Sequence, residues 1–238
     1  MTTKHTKLAL VIIATLAAIY FMLLFMKQPL FQFSPFDKAI MNFYLNYELS
    51  TILLSAGMLV LLYLLADRVK LSYLNLRNID APMEPVKFMG ITANDRWKVL
   101  GARMAAIVSI VTAIVVYFQV AGKPFSFRVF PDLVLVLIFA VMNSFTEEVI
   151  FRFSYSTIVA NEGLPSRIAE FLGAAVFGAV HYFGIAPKGI PGMLMAAFIG
   201  WFLAKSINET KGFFWAWLVH FIQDVIILTL LFSTAGLS

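Results

Sequence analysis

The 238-residue chain contains no cysteine, which excludes disulfides, thiolate metal sites and cysteine nucleophiles and leaves the redox compartment unreadable. Charge is scarce too, at 13% of residues. The net charge of +5 does not point to nucleic acid, because the Lys and Arg residues are scattered over short loops and form no basic run interleaved with aromatics. No internal repeat and no low-complexity tract is visible. Apolar side chains fill the space these absences leave. With 61% hydrophobic residues and a mean hydropathy of +0.87, the chain lies outside the soluble range and reads as an all-α polytopic membrane protein, one membrane domain over 1–238.

Hydropathy and turn signals predict about seven spans. Residues 8–26 follow a basic start, as in a signal peptide, but lack a small-x-small cleavage site before Lys27 and read as an anchor. Residues 27–48 read as an aromatic connection partly in the interface, and 49–66 as the second span. Residues 67–98 form the longest extramembrane segment, and 99–120 the third span. The fourth, starting near Leu133 with Asp132 as a cap, continues past Arg152 to Ala160. The fifth covers 165–183, with Ser166 as a cap and Gly173 and Gly178 allowing close helix approach. After a Gly- and Pro-rich loop over 185–192 comes a short sixth segment, 193–204, which would need lipid thinning or neighbours to cross. The last span is 213–232. A cytoplasmic amino end puts Lys27, Lys38, Lys123, Arg128 and Lys188 outside and the remaining 13 Lys and Arg, counting Arg103, Arg152 and Arg167 at helix ends, inside.

Polar residues inside these spans are the candidates for function, since a charge at the bilayer centre costs at least about 2.5 kcal/mol. Glu147, Glu148 and Arg152 fall within the fourth helix. Residues four apart share a face, so Glu148 and Arg152 read as an ion pair and Glu147 is left without a local partner. His181 lies in the fifth helix, four residues after Phe177, and His220 and Asp224 lie one turn apart in the last. A carboxylate at that spacing can fix the tautomer of the imidazole or share its proton. Counting rise per residue puts Glu147, His181 and His220 roughly 20, 24 and 12 Å from the cytoplasmic ends of their helices, close enough for tilt to bring them together.

Glu147-Glu148-x-x-x-Arg152, Phe177-x-x-x-His181 and His220-x-x-x-Asp224, in this order on three membrane helices, resemble the three motifs of the CPBP (Abi) family of intramembrane proteases. That family includes the type II CAAX prenyl endopeptidases and bacteriocin-processing or self-immunity proteins, and the resemblance covers about residues 130–230. It implies an intramembrane endopeptidase in which Glu147 and His181 activate water and His220 with Asp224 holds the oxyanion. It further implies no metal cofactor and a membrane-associated or lipidated peptide or protein as substrate. The short chain looks bacterial, and its oligomeric state is unreadable.

Asp224 is a departure, because the eukaryotic enzymes have Asn there and an ionised carboxylate would repel an oxyanion. Either Asp224 is protonated or it orients and charges His220, leaving the imidazolium as donor; the i, i+4 geometry favours the second. Glu148 with Arg152 reads as a brace on the other face of the helix, and Phe177 as packing. The same residues leave other chemistries open. Glu147, His181 and His220 suit a zinc ion with an open position. A proton-coupled transporter would use the acids and histidines as a relay, and a non-catalytic immunity or scaffold protein would bind a partner through the 67–98 loop.

Overall fold

A computed structural model describes residues 4–183 and 189–234. They form helices α1 (Lys4–Phe25), α2 (Ala39–Leu65), α3 (Trp97–Val120), α4 (Val134–Glu148), α5 (Ser154–Asn161), α6 (Arg167–Tyr182), α7 (Gly189–Thr210) and α8 (Phe214–Thr234), and no strands beyond two isolated bridges among the described residues. Six helical stretches are long and apolar enough to cross a membrane. One of them, Phe130–Asn161, carries α4 and α5 with a π-helical turn, Val149–Phe153, between them. α6, at 16 residues, is shorter than those six and packs most extensively against α7.

Two sequence expectations need correction. The sixth segment is not a 12-residue stub: α7 has 22 residues, enough to cross without lipid thinning. Half of the expected 185–192 loop, 185–188, lies outside the described residues, and 189–192 already belongs to α7. The second span starts at Ala39, ten residues before the expected boundary, so Glu48 lies inside a membrane helix. A side-chain ladder explains that early start. Asn42, Asn46 and Ser50, on one face of α2, accept backbone N–H bonds from Phe36, Phe33 and Leu30 at 2.9, 2.7 and 2.9 Å. The residues before the helix are thereby laid back along it in extended form, with their polar groups satisfied inside the protein, as lipid requires.

Apolar side chains face outward as well as inward, among them Ile13, Leu64, Ile110 and Phe118, as expected where the solvent is lipid. Helix association then depends on close packing and internal polar contacts instead of water exclusion. α6 and α7 meet at Gly173, Gly178 and Gly200, and a β-carbon on Gly200 would stand 2.5 Å from the carbonyl oxygen of Gly173.

Polar contacts gather the helix ends at two faces. At one, Lys7 pairs with Asp67 and Glu162 at 3.2 and 3.3 Å, and Asn161 Oδ1 accepts the N–H groups of Arg68 and Val69. Trp97 Nε1 donates to Glu209 at 2.7 Å, and Trp215 Nε1 to the carbonyl of Ile79 at 2.8 Å. These bonds tie the 67–97 stretch to the ends of α5 and α7 and the start of α8. At the opposite face Lys38 binds Asp132 and the carbonyls of Ser126 and Phe232. Asp132 is therefore not a helix cap, as its sequence position suggested, but the partner of Lys38 and of the Arg128 N–H. Ser166 occupies the N-cap position of α6 without a side-chain bond. Glu170, in the first turn of α6, is buried against α7, where Asn208 donates to it at 3.4 Å.

Candidate active site

Three helices supply the charged residues. On α4 Glu147 and Glu148 are consecutive and therefore diverge by about 100°. Glu147 faces a cavity of about 280 Å³, and Glu148 turns into the protein. The π turn follows immediately. Such one-residue expansions of a helix recur at functional sites because they change the direction of the side chains that follow. Here the turn ends in Phe151, Arg152 and Phe153, all buried.

Glu147, His181, His220 and Asp224 line the same cavity, while Glu148 and Arg152 sit behind its wall. The apolar lining comes from the last turns of α1 and α6, the first turns of α2 and α7, and the second halves of α3 and α8. All of these belong to the half of the bundle away from the face that holds Lys7, Asp67 and Glu162.

His220 is the hub. Its Nδ1 lies 2.7 Å from Glu148 Oε1, and its Nε2 lies 3.5 Å from Glu147 Oε2 and 3.7 Å from Asp224 Oδ1. A carboxylate can only accept, so Nδ1 carries a proton and Nε2 is the atom turned to the cavity. This differs from expectation on two points. Glu148 is not merely a brace on the far side of its helix: one oxygen holds both Arg152, at 2.9 Å, and His220 on α8. And the carboxylate that fixes the tautomer of His220 is Glu148, not Asp224. An i+4 carboxylate can approach either ring nitrogen, and only the rotamer of His220, set by contact with α4, decides which. Arg152 is likewise no helix-end charge of the basic face; it is fully buried within the bundle.

His181 is oriented by its own helix. Its Nδ1 stands 2.9 Å from the carbonyl of Phe177, which accepts only, so the proton is on Nδ1 and Nε2 is a free acceptor. Phe177 is more than packing. Its ring lies 3.6 Å from the Arg152 guanidinium, 4.1 Å from the His181 ring and 6.0 Å from the His220 ring, measured between centres. It thus covers the buried cation with its negative face.

Sequence reasoning missed Asn143, Tyr44, Tyr47 and Gln223, which also line the cavity, and Glu48 beside it. Asn143 Nδ2 donates to Asp224 Oδ2 at 3.1 Å. Asn143 was readable, since it precedes Glu147 by four residues on the same helical face. The α2 residues were not, because their helix was placed too late. Glu48 is fully buried, and neither of its carboxyl oxygens has a hydrogen-bond partner among the described residues. Among those residues no group of three or more His, Asp and Glu side chains is arranged to hold a metal ion.

Residues 129–226 match the family model of type II CAAX prenyl endopeptidase Rce1-like proteins, the family that the three motifs resemble. No curated protein and no solved structure matches the chain significantly. The matched region contains every charged residue of the cavity wall on α4, α6 and α8, whereas α1, α2 and α3, which close the cavity on its other sides, lie outside it. Together with the long apolar helices, the match supports an integral membrane protein whose 129–226 region is similar to CAAX proteases.

Proposed function

Taking that match as the premise, we propose that the protein is an intramembrane endopeptidase acting on a prenylated or otherwise lipid-anchored peptide. The observation that carries this reading is one cavity between membrane helices lined by Glu147, His181, His220 and Asp224 from three helices.

Water is held by Glu147 and by the free Nε2 of His181. Glu147 takes one of its protons, the hydroxide oxygen bonds to the scissile carbonyl carbon, and the carbonyl π pair moves onto oxygen. His220, held through Nδ1 by Glu148, offers its protonated Nε2 to that oxyanion. When the C–N bond breaks, Glu147 returns the proton to the leaving nitrogen, giving a carboxyl group and an amine. No metal is used in this scheme. A zinc ion on Glu147, His181 and His220 is the alternative chemistry, and metal content with chelator response separates the two.

The test is cleavage, by purified protein in nanodiscs, of a peptide with a farnesylated cysteine three residues from its carboxyl end. The parent protein releases the tripeptide and Glu147→Ala does not. An active Glu147→Ala overturns the assignment.

The distribution of Lys and Arg supports a cytoplasmic amino end in a short chain we read as bacterial, an orientation that turns the cavity towards the outer half of the membrane. The cysteine-free background permits a direct check. Lys123→Cys reacts with an impermeant maleimide on intact cells and Arg77→Cys only after lysis; the reverse pattern refutes this orientation.

A further inference from the structure

Hydrolysis needs donors where negative charge grows on the carbonyl oxygen, and this site is crowded with acceptors. Glu147, Glu148 and Asp224 are carboxylates around a single imidazole, whose Nε2 already faces two of them. Asp224, the residue that follows the motif histidine by one turn, offers an ionised oxyanion no hydrogen. Its neighbour does. Asn143 stands one turn before Glu147 on the same face of α4 and lines the same cavity. The Asp224 carboxylate only accepts, so the bond at 3.1 Å fixes the Asn143 amide with its nitrogen towards Asp224 and the cavity. That nitrogen carries two hydrogens. Asp224 takes one, and the other has no acceptor among the described residues. The second amide of the cavity, Gln223, donates instead to the hydroxyl of Ser109 on α3, at 3.1 Å.

We infer that Asn143 is a catalytic residue whose second Nδ2 hydrogen binds the oxyanion beside His220, and that Asp224 is the positioning residue that holds this amide. The amide donor comes from α4 and the carboxylate from α8. No proton is transferred: the hydrogen bond strengthens as the carbonyl π pair moves onto oxygen and relaxes when the C–N bond breaks. The inference rests on the endopeptidase reading above.

Exchanging the two groups tests it, with the farnesylated peptide as probe. Asn143→Asp lowers kcat by about 10²-fold or more, the usual loss of one oxyanion donor. KM stays within about threefold, because the bond is made in the transition state. The double variant Asn143→Asp with Asp224→Asn restores an amide and a carboxylate in reversed order and recovers at least about tenfold over Asn143→Asp. Asp224→Asn alone keeps the Asn143 amide and loses less than about tenfold. Asn143→Ser, which retains a shorter donor, falls between the parent and Asn143→Asp and provides a second reading if the aspartate variant does not fold.

An Asn143→Asp enzyme with parental kcat overturns the inference. So does a double variant no better than Asn143→Asp when Asp224→Asn is equally damaged, since the carboxylate of Asp224 would then be the essential group. A parent that leaves the peptide intact, or an active Glu147→Ala, removes the endopeptidase reading itself and this inference with it.

Discussion

Two buried ion clusters in this protein invite comparison. At the face away from the amino end, the Lys38 ammonium has three hydrogens and meets three acceptors, Asp132, Phe232 and Ser126, at 2.8, 3.0 and 3.2 Å. Asp132 in turn accepts from the backbone of Arg128. The cluster joins the start of α2, the approach to α4 and the end of α8, and its donors are used up within the protein. In the middle of the bundle, His220 touches carboxylates from two helices with one nitrogen left towards a cavity, and His181 keeps a free Nε2. Burial and charge are shared by both clusters. What differs is hydrogen-bonding capacity turned towards a cavity, so the first reads as a clasp and the second as a site.

Substitutions should separate the two. The largest effect is expected from Glu147→Gln, which lowers turnover by about 10²–10⁴-fold, the range of a lost general base. Its unfolding temperature in detergent equals or exceeds that of the parent, because a crowded group of acids is relieved. A parallel loss of stability would erase the distinction. Lys38→Met should do the reverse: removing the nearer of the two cations beside buried Asp132, with only the half-exposed Arg128 left at 3.5 Å, costs about 3 kcal/mol of stability, measured by thermal unfolding, while the folded fraction retains kcat. Glu148→Gln belongs to both categories. It keeps an acceptor for His220 Nδ1 but loses the charge, so kcat should fall about tenfold, since charge-assisted hydrogen bonds are roughly twice as strong as neutral ones, and stability should fall by about 3 kcal/mol or more, because the buried Arg152 guanidinium loses its direct counter-ion.

The smallest effect lies at the amino-terminal face. The Asn161 amide and then Lys7 hold the Asp67 carboxyl below its ordinary value, and the hydrogen bonds of Thr92 do the same for Asp95. A depressed carboxyl stabilises the folded state above its unfolded pKa, about 3.9, and that contribution is lost as pH falls through the folded value. Acid unfolding near pH 4 should therefore be slightly less pH-dependent in Asp67→Asn and Asp95→Asn than in the parent.

Legibility followed the period of the helix. The membrane class, the apolar segments and the motif pairs Glu148/Arg152, Phe177/His181 and His220/Asp224 were readable because each depends on spacing within one helix. The same rule would have identified Asn143. Glu48, Tyr44 and Tyr47 escaped because the start of α2 depends on Asn42, Asn46 and Ser50 binding a preceding extended segment, a contact with no hydropathy signal. The length of α7 was obscured by the Gly and Pro residues at its start, which read as a loop.

By itself, the amino-acid sequence determined which groups could do chemistry and on which helices they stand, because composition and the 3.6-residue repeat are properties of the chain alone. Only the tertiary structure decided the partners. Glu148 and not Asp224 meets Nδ1 of His220, and Asp224 meets Asn143. Those choices turn on how α4 and α8 are rotated against each other, and a rotation of that kind is set by packing across the bundle, which no single helix encodes.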